Sequence, residues 1–261
     1  MNNRGDFLVI RPFNGVFIGI FAVLIALMVL AAVILKDKSL KAKKAVLVTA
    51  SLLTLAGFFV YKYYLSIDVD YNNLMVNRGG FNWWNELPLQ LCNINMILIP
   101  IAVLLHKKEL LAFCFFVGPI GALMALCMPL AEFDGYSILL PRMLGYYGTH
   151  FLIVIEGWSI GVFGLYRPRF KDFPRIVFAM FAVSFSVFMI NMIMRWTGIF
   201  PKANYFYSVE TEGNFLLEIF HKWIPVPYLY LMPSIVILLA YMTIVTLGFN
   251  IFCKKSKDQD E

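Results

Sequence analysis

A cysteine and a histidine stand out because each lies inside a long apolar segment, where a reactive side chain is costly to bury. Cys92 belongs to the segment ELPLQLCNINMILIP, and His150 belongs to the segment GYYGTHFLIVIEG. A thiol becomes a strong nucleophile when a neighbouring imidazole takes its proton. If the two segments touch, Cys92 and His150 form such a pair. A histidine held only by hydrogen bonds is the structural alternative.

Further polar side chains accompany Cys92 in its own segment. At 100° per residue in a helix, Glu86, Gln90 and Asn93 fall on one face, and Asn95 lies further round. Cys92 lies at the edge of that face. Polar side chains inside a membrane segment indicate a cavity or a site. Fixed amide groups are suited to donate hydrogen bonds to a developing oxyanion.

Other candidates lie on two later segments. Tyr146 lies one turn from His150 on the same face, while Asn191 and Arg195 lie four residues apart near the end of another apolar segment. Arg195 either extends to the membrane surface or holds a lipid phosphate or carboxylate above the site. The predicted site comprises Cys92 and His150 as catalytic residues, with Gln90, Asn93, Asn95, Tyr146, Asn191 and Arg195 as oxyanion-binding or substrate-binding residues.

The elements that must position these residues are membrane helices. The chain of 261 residues is 61% hydrophobic, and its mean hydropathy is +0.75. Apolar runs long enough to cross a bilayer recur along it, so we predict an all-α polytopic membrane protein. A single transmembrane domain over residues 1–261 is expected, as a bundle of seven helices. The predicted spans are 14–35, 45–65, 86–105, 110–130, 139–166, 174–196 and 228–252.

Lysine and arginine residues in the connections predict the orientation. With seven spans, fourteen of the 22 basic residues fall on one side, which the positive-inside rule assigns to the cytoplasm. The N-terminus then lies outside and the C-terminus in the cytoplasm. The fourteen are Lys36, Lys38, Lys41, Lys43, Lys44, Lys107, Lys108, Arg167, Arg169, Lys171, Arg175, Lys254, Lys255 and Lys257. The other side receives Arg4, Arg11, Lys62, Arg78, Arg142, Arg195, Lys202 and Lys222.

The last outer connection contains the pattern of a short amphipathic helix. Asn214 can cap this helix at its N-terminus, and an apolar stripe predicts that it lies in the outer interface. An ordinary folded loop is the alternative. The stripe consists of Phe215, Leu216, Ile219, Phe220 and Trp223.

Composition and motifs exclude several classes of function. The net charge of +6 is not gathered into a basic patch with interleaved aromatic residues, so we expect no nucleic-acid partner. The cysteines Cys92, Cys114, Cys127 and Cys253 show no CxxC spacing, which predicts buried thiols and no metal site or cofactor. The seventh span has no internal lysine for a retinal Schiff base. P-loop, HExxH and GxSxG motifs are absent from the sequence.

Five stretches carry a family resemblance that extends from Trp84 to about Tyr230. They are LPLQLCNINMILIP, GPIGALMALCMP, GYYGTHFLIVIEG, GIFPKANYFY and WIPVPYLYL, and together they resemble the bacterial YwaF-type integral membrane proteins. Members of that family usually read LPLHLC, whereas Gln90 replaces the histidine here. More remotely, the family is similar to animal membrane phospholipid acyltransferases and fatty-acid-ester hydrolases. In those relatives a Cys or Thr nucleophile works with a histidine on another helix.

The resemblance implies an intramembrane acyl-transfer site built from Cys92 and His150. The leading hypothesis is therefore a lipid acyltransferase or lipid ester hydrolase of a bacterial cell membrane. Its site would lie in the outer half of the bilayer, and membrane lipids would be its partners. A transporter or binding protein that lines its cavity with the same residues is the first alternative. A structural or interaction protein, whose polar residues lock helices together, is the second.

Overall fold

Helices make up most of the protein in the computed structural model, which describes residues 8–76 and 80–257. Arg4 and Arg78 lie outside these ranges, and the side chains of Cys253 and of the basic residues after it are not described. In the described ranges there are nine α-helices. These are α1 (Gly15–Leu35), α2 (Leu40–Ile67), α3 (Val69–Leu74), α4 (Leu91–Leu105), α5 (Lys108–Cys127), α6 (Pro141–Val162), α7 (Phe173–Trp196), α8 (Phe215–Trp223) and α9 (Ser234–Lys257).

Five of the helical segments are long and apolar enough to cross a membrane. They are α1, α2, α5, α7 with its preceding turn, and the segment Leu229–Ile251, which comprises a short turn and most of α9. Helix α4 has only 15 residues, and α6, which contains Arg142 and Glu156, is not apolar enough over a membrane-spanning length, so neither is in this group. The protein is thus a helical, multi-pass membrane protein, and the predicted count of seven spans stays a prediction.

The predicted span 86–105 is wrong at its N-terminal end. Helix α4 begins at Leu91, because Gln90 has an extended backbone with φ −71° and ψ 150° and Pro88 lacks an N–H group. Glu86 lies in the turns before the helix, so it does not share a helical face with Asn93. The change moves Cys92 from the interior of a long helix to the second residue of a short one.

A small antiparallel strand pair, which the sequence reading did not predict, lies outside the helices. Strand β1 (Val9–Ile10) pairs with β2 (Tyr136–Ser137), and Ile10 faces Tyr136 in the register. The Asn14 side chain joins this pair to α1: its Nδ2 donates to the Val9 carbonyl at 2.7 Å and its Oδ1 accepts the Phe17 N–H at 3.0 Å. The segment before α1 is thereby attached to the connection that leads into α6.

Helix α6 lies against α1, α2, α4 and α5, and two of its glycines allow close approach. A Cβ atom added to Gly145 would lie 2.1 Å from Tyr61 Cδ2 on α2. One added to Gly157 would lie 2.6 Å from Pro119 Cδ on α5. The two contacts fix α6, and with it His150, against the helices that also contact α4.

Each end of the bundle contains its own cluster of buried apolar residues. One cluster contains Leu35, Val103, Leu111, Tyr166 and Ile176, which adjoin the basic connections after α1, α4 and α6. The other cluster contains Phe17, Phe58, Cys92, Leu126 and Phe151. The basic connections therefore gather at one end of the bundle, and Cys92 lies toward the other end.

The predicted short helix in the last connection is present as α8. Asn214 caps it, since its Oδ1 accepts the Leu216 and Leu217 N–H groups at 3.2 Å each. Leu217 and Phe220 are buried, whereas Phe215 and Trp223, which belong to the predicted stripe, are exposed. The buried face is thus rotated relative to the predicted stripe.

Candidate functional site

Helices α4 and α6 bring the two predicted catalytic residues into contact. The Sγ atom of Cys92 lies 3.4 Å from Nε2 of His150, and both side chains are buried. Nδ1 of His150 lies 2.6 Å from the Tyr146 carbonyl oxygen, which can only accept a hydrogen bond. Nδ1 therefore carries the proton, and the Nε2 lone pair points at the thiol. This is the orientation that lets His150 act as a base toward Cys92.

The start of α4 supplies backbone donors beside the sulfur. The first intrahelical bond there runs from the Ile94 N–H to the Gln90 carbonyl at 2.9 Å, so the N–H groups of Leu91, Cys92 and Asn93 precede it. The Gln90 side chain does not cap the helix. Positive partial charge at a helix N-terminus favours a thiolate or an oxyanion.

Cys92 and His150 line a cavity of about 700 Å³. Of the other predicted site residues, Gln90, Asn93, Tyr146 and Arg195 also line it, whereas Asn95 and Asn191 do not. Apolar walls are contributed by residues such as Phe58, Met124, Met128, Phe133 and Leu217. The cavity thus combines one reactive pair, several amides and an apolar lining, as ligand pockets commonly do.

The two amide side chains in the cavity differ in their partners. Oε1 of Gln90 accepts the Phe206 N–H at 2.8 Å, which leaves the Gln90 NH₂ group as a donor. Oδ1 of Asn93 lies 3.6 Å from the Cys92 Sγ and can accept the thiol hydrogen in place of His150. The Gln90 side chain is thus held by Phe206, which lies far along the chain, and the Asn93 side chain contacts the thiol of Cys92.

Tyr146 acts on His150 through its backbone and its ring. Its hydroxyl donates to the Ala125 carbonyl at 2.8 Å, so that group is engaged within the protein. Its ring stacks on Phe133 with centroids 4.3 Å apart and lies 4.5 Å from the imidazole. Tyr146 therefore orients the histidine and forms part of the cavity wall.

Asn95 and Asn191 serve structural contacts away from the cavity. Asn95 is buried against Gly118, and its Nδ2 donates to the Leu91 carbonyl at 2.9 Å. Asn191 donates to the Tyr205 carbonyl at 2.8 Å and accepts the Tyr205 N–H at 2.9 Å. The structure thus does not bring these two predicted residues to the reactive pair, because each amide is turned toward backbone groups of its own neighbourhood.

Arg195 lines the cavity but is held by protein groups. Its Nε donates to the Ala203 carbonyl at 2.7 Å, and its guanidinium pairs with Glu210 at 2.9 Å. Both partners belong to the connection between α7 and α8. The arginine thus fastens this connection above the cavity.

The same connection covers the cavity between residues 200 and 214. Phe206 and Tyr207 have positive φ angles of 64° and 49°, a conformation that costs non-glycine residues free energy and that surrounding contacts must hold. The Tyr205 hydroxyl donates to the Trp84 carbonyl. Burial and the nearby Glu86 raise the pKa of Tyr205 to about 12, so this hydroxyl keeps its proton as a donor.

The cavity also contains an ion pair that the sequence patterns do not predict. Lys62 on α2 forms an ion pair with Glu86, and both side chains line the cavity. A single lysine within the apolar stretch FFVYKYYL is the sequence signal for this ion pair, whereas the sequence-based prediction uses Lys62 only for the orientation. Among the described residues, no cluster of three or more His, Cys, Asp or Glu side chains is arranged to hold a metal ion.

Comparison with known proteins gives one match. No curated protein and no solved structure matches the chain. The model of the TMEM164 family, a family of membrane proteins, matches residues 12–246, which include every predicted site residue. Because this match spans far more than half of the sequence, the chain belongs to the TMEM164 family.

Proposed function

We propose that the protein is an acyl-transfer enzyme that acts on lipid esters inside the membrane, with Cys92 as nucleophile and His150 as general base. The observation that carries the proposal is the 3.4 Å contact between Sγ and Nε2, with the tautomer set by the Tyr146 carbonyl. A thiol, an oriented imidazole and backbone donors within one apolar cavity are the parts that ester cleavage requires.

In the first half-reaction, His150 Nε2 takes the thiol proton as Cys92 Sγ attacks the ester carbonyl carbon. A carbon–sulfur bond forms and the carbonyl oxygen becomes an oxyanion. When this intermediate collapses, the carbon–oxygen ester bond breaks. The proton on Nε2 passes to the leaving alkoxide, which departs as an alcohol, and the acyl group stays on sulfur as a thioester.

In the second half-reaction, the acceptor is a lysophospholipid hydroxyl or water. Nε2 of His150 removes the proton of the acceptor while the acceptor oxygen attacks the thioester carbonyl carbon. Collapse breaks the carbon–sulfur bond, and the proton returns from His150 to the Cys92 thiolate. The product is a new lipid ester or a free fatty acid.

The oxyanion of both steps needs fixed donors. Candidates are the N–H groups at the start of α4, the NH₂ group of Gln90 and the amide of Asn93, which belong to residues that line the same cavity as Cys92. Such donors are worth roughly 10²–10³ in rate each when they are aimed at the developing charge. The Phe206 N–H holds Oε1 of Gln90, which leaves the Gln90 NH₂ group to donate.

We also propose how many spans the protein has and how they are oriented in the membrane. The two shorter or less apolar helices, α4 and α6, complete a single domain of seven spans with the basic connections in the cytoplasm. The reactive pair then lies in the outer half of a cell membrane. The YwaF-type resemblance and a bacterial source are consistent with this arrangement.

An acyl-enzyme assay tests the chemistry. The purified protein is incubated with a phospholipid that carries an alkyne-tagged acyl chain, and the hydroxylamine-sensitive label on the protein is measured. We expect Cys92→Ala to abolish the label and His150→Ala to reduce it at least a hundredfold. Cys127→Ala is the matched control and should keep it. Label that survives Cys92→Ala would remove the proposed nucleophile.

A second candidate is a lipid-binding or transport protein, which the size of the cavity favours. A cavity of about 700 Å³ with apolar walls can hold an acyl chain without any reaction. Under this function, Cys92→Ala protein would bind or move lipid as the wild type does, and neither protein would carry a thioester.

A further inference from the structure

A buried ion pair lies in the cavity outside the thiol–imidazole contact. The side chains of Lys62 and Glu86 are only 12% and 7% exposed. The Lys62 ammonium lies 5.2 Å from the Phe58 ring centroid and 4.7 Å from that of Tyr61, and Asn85 donates to the second Glu86 oxygen at 3.1 Å. Burying two charges carries a large desolvation penalty, so an ion pair of this kind is weak evidence for stability alone.

The position of the ammonium relates it to the reactive pair. Lys62, Cys92 and His150 line the same cavity, and the ion pair joins Lys62 to Glu86 in the turns just before α4, the helix whose second residue is Cys92. A cation near a thiol favours the thiolate, and it opposes storage of a second positive charge on the imidazole. Both effects favour acyl transfer, since the sulfur must become anionic and the imidazolium must then release its proton.

The carboxylate of Glu86 fixes and moderates this charge. Lys62 is a long side chain on α2, whereas Glu86 lies in the turns just before α4, the helix that carries the thiol. An ion pair between these two elements holds the ammonium at a defined place beside the start of α4. The opposite charge also offsets part of the field that Lys62 exerts on the sulfur.

We propose that Lys62 is a further residue of the acyl-transfer site, where its ammonium stabilises the negative charge that develops at Cys92, and that Glu86 is the positioning residue that holds this ammonium. The inference rests on the proposed function for its purpose. The effect of the Lys62 charge on the Cys92 thiol can be measured without substrate.

The test is the rate at which neutral iodoacetamide alkylates Cys92 at fixed pH, quantified on the Cys92 peptide in the otherwise intact protein. At an effective dielectric of 20, a unit charge about 12 Å away changes an ionisation equilibrium about tenfold, and a closer charge changes it more. We therefore expect Lys62→Met to slow alkylation about tenfold and Lys62→Arg to restore most of the rate. Glu86→Gln should accelerate it, because the amide oxygen can still accept a hydrogen bond from Lys62 but carries no charge. The Lys62→Met/Glu86→Gln double variant, which carries neither charge, should react at a rate between those of the two single variants.

The opposite changes in alkylation rate expected for Lys62→Met and Glu86→Gln distinguish an electrostatic effect from a structural one. If the ion pair only joined α2 to the segment before α4, both single variants would loosen the same contact and change the rate in the same direction. Cys114, which is fully buried in α5, is the internal reporter, because its alkylation would reveal an opened bundle. Changes of the same sign in both variants, or none, would overturn the inference, and a folded Glu86→Gln protein alone can decide if Lys62→Met does not fold.

The acyl-enzyme assay distinguishes this failure from failure of the proposed function. Opposite alkylation changes without any thioester in the wild type would contradict acyl transfer and leave the effect of Lys62 on the thiol established. A Cys92-dependent thioester with alkylation independent of Lys62 would support acyl transfer and refute the role of Lys62.

Discussion

Removing the Gln90 side-chain amide should release the segment 200–214 from the cavity. Oε1 of Gln90 is the acceptor for the Phe206 N–H at 2.8 Å, and Phe206 itself has a positive φ of 64°. In Gln90→Met, which has a side chain of similar size, the N–H loses its partner. A strained residue then loses one of the contacts that hold it.

The magnitude follows from that one hydrogen bond. A part-buried backbone donor without a partner costs about 1–3 kcal/mol, and about 1.4 kcal/mol corresponds to a tenfold change in an equilibrium. The open form of the segment should therefore become roughly 5- to 150-fold more populated in Gln90→Met. The Asn191 contacts with Tyr205 and the Arg195–Glu210 pair remain, so the segment should open without global unfolding.

Hydrogen–deuterium exchange with mass spectrometry measures this population. Peptides that cover residues 200–214 should exchange at least fivefold faster in Gln90→Met, whereas peptides from α5 should be unchanged. Tyr205→Phe is a control on the same segment, because it removes the bond to Trp84 and keeps the Phe206 contact. Unchanged exchange around Phe206 in a folded Gln90→Met protein would refute the assigned role of Gln90.

Two further predictions concern stability. Gly145→Ala should lower the free energy of unfolding by about 1–3 kcal/mol, because the added Cβ would overlap the Tyr61 ring, whereas Gly148→Ala on the same helix meets no atom within 4 Å and should be neutral or stabilising. Equal melting temperatures would contradict this packing. Asp172→Ala should cost about 2–3 kcal/mol, because this buried carboxylate accepts hydrogen bonds from three side chains, whereas Glu109→Ala removes only an exposed pair at 3.8 Å and should cost less than about 1 kcal/mol. Chemical or thermal unfolding in detergent measures both pairs, and an equal loss in the second pair would show that Asp172 is not a structural centre.

Apolar length was enough to predict a helical membrane protein, and polar interruptions singled out Cys92 and His150, whose catalytic roles stay a prediction. The membrane character and the α8 cap at Asn214 follow from local patterns of residues that contact one another within a turn. Pro88 is a local sign that the helix starts late, but it does not fix the first residue of α4. The side chain of Gln90, the residue just before α4, accepts the N–H of Phe206, which lies 116 residues further along the chain. A window of neighbouring residues contains no information about that partner.

The same limit explains the mixed outcome for the site residues. Periodicity places Cys92, Asn95 and Asn191 on helix faces, but it does not say which helix each face meets. Cys92 meets His150 because α4 and α6 are neighbours, while Asn95 turns to the Leu91 carbonyl and Asn191 to Tyr205. The Lys62–Glu86 ion pair was missed for the same reason.

The tautomer of His150 has a consequence for the order of events. Its Nδ1 is bonded to the carbonyl of its own helix at 2.6 Å, so Nε2 is the single nitrogen that can receive and release protons. The departing alcohol and the incoming acceptor must therefore occupy the same place beside Nε2 at different times. In the proposed acyl transfer, the first product has to leave before the second substrate enters. The kinetics should accordingly be ping-pong, with the shortened donor lipid competing against the acceptor.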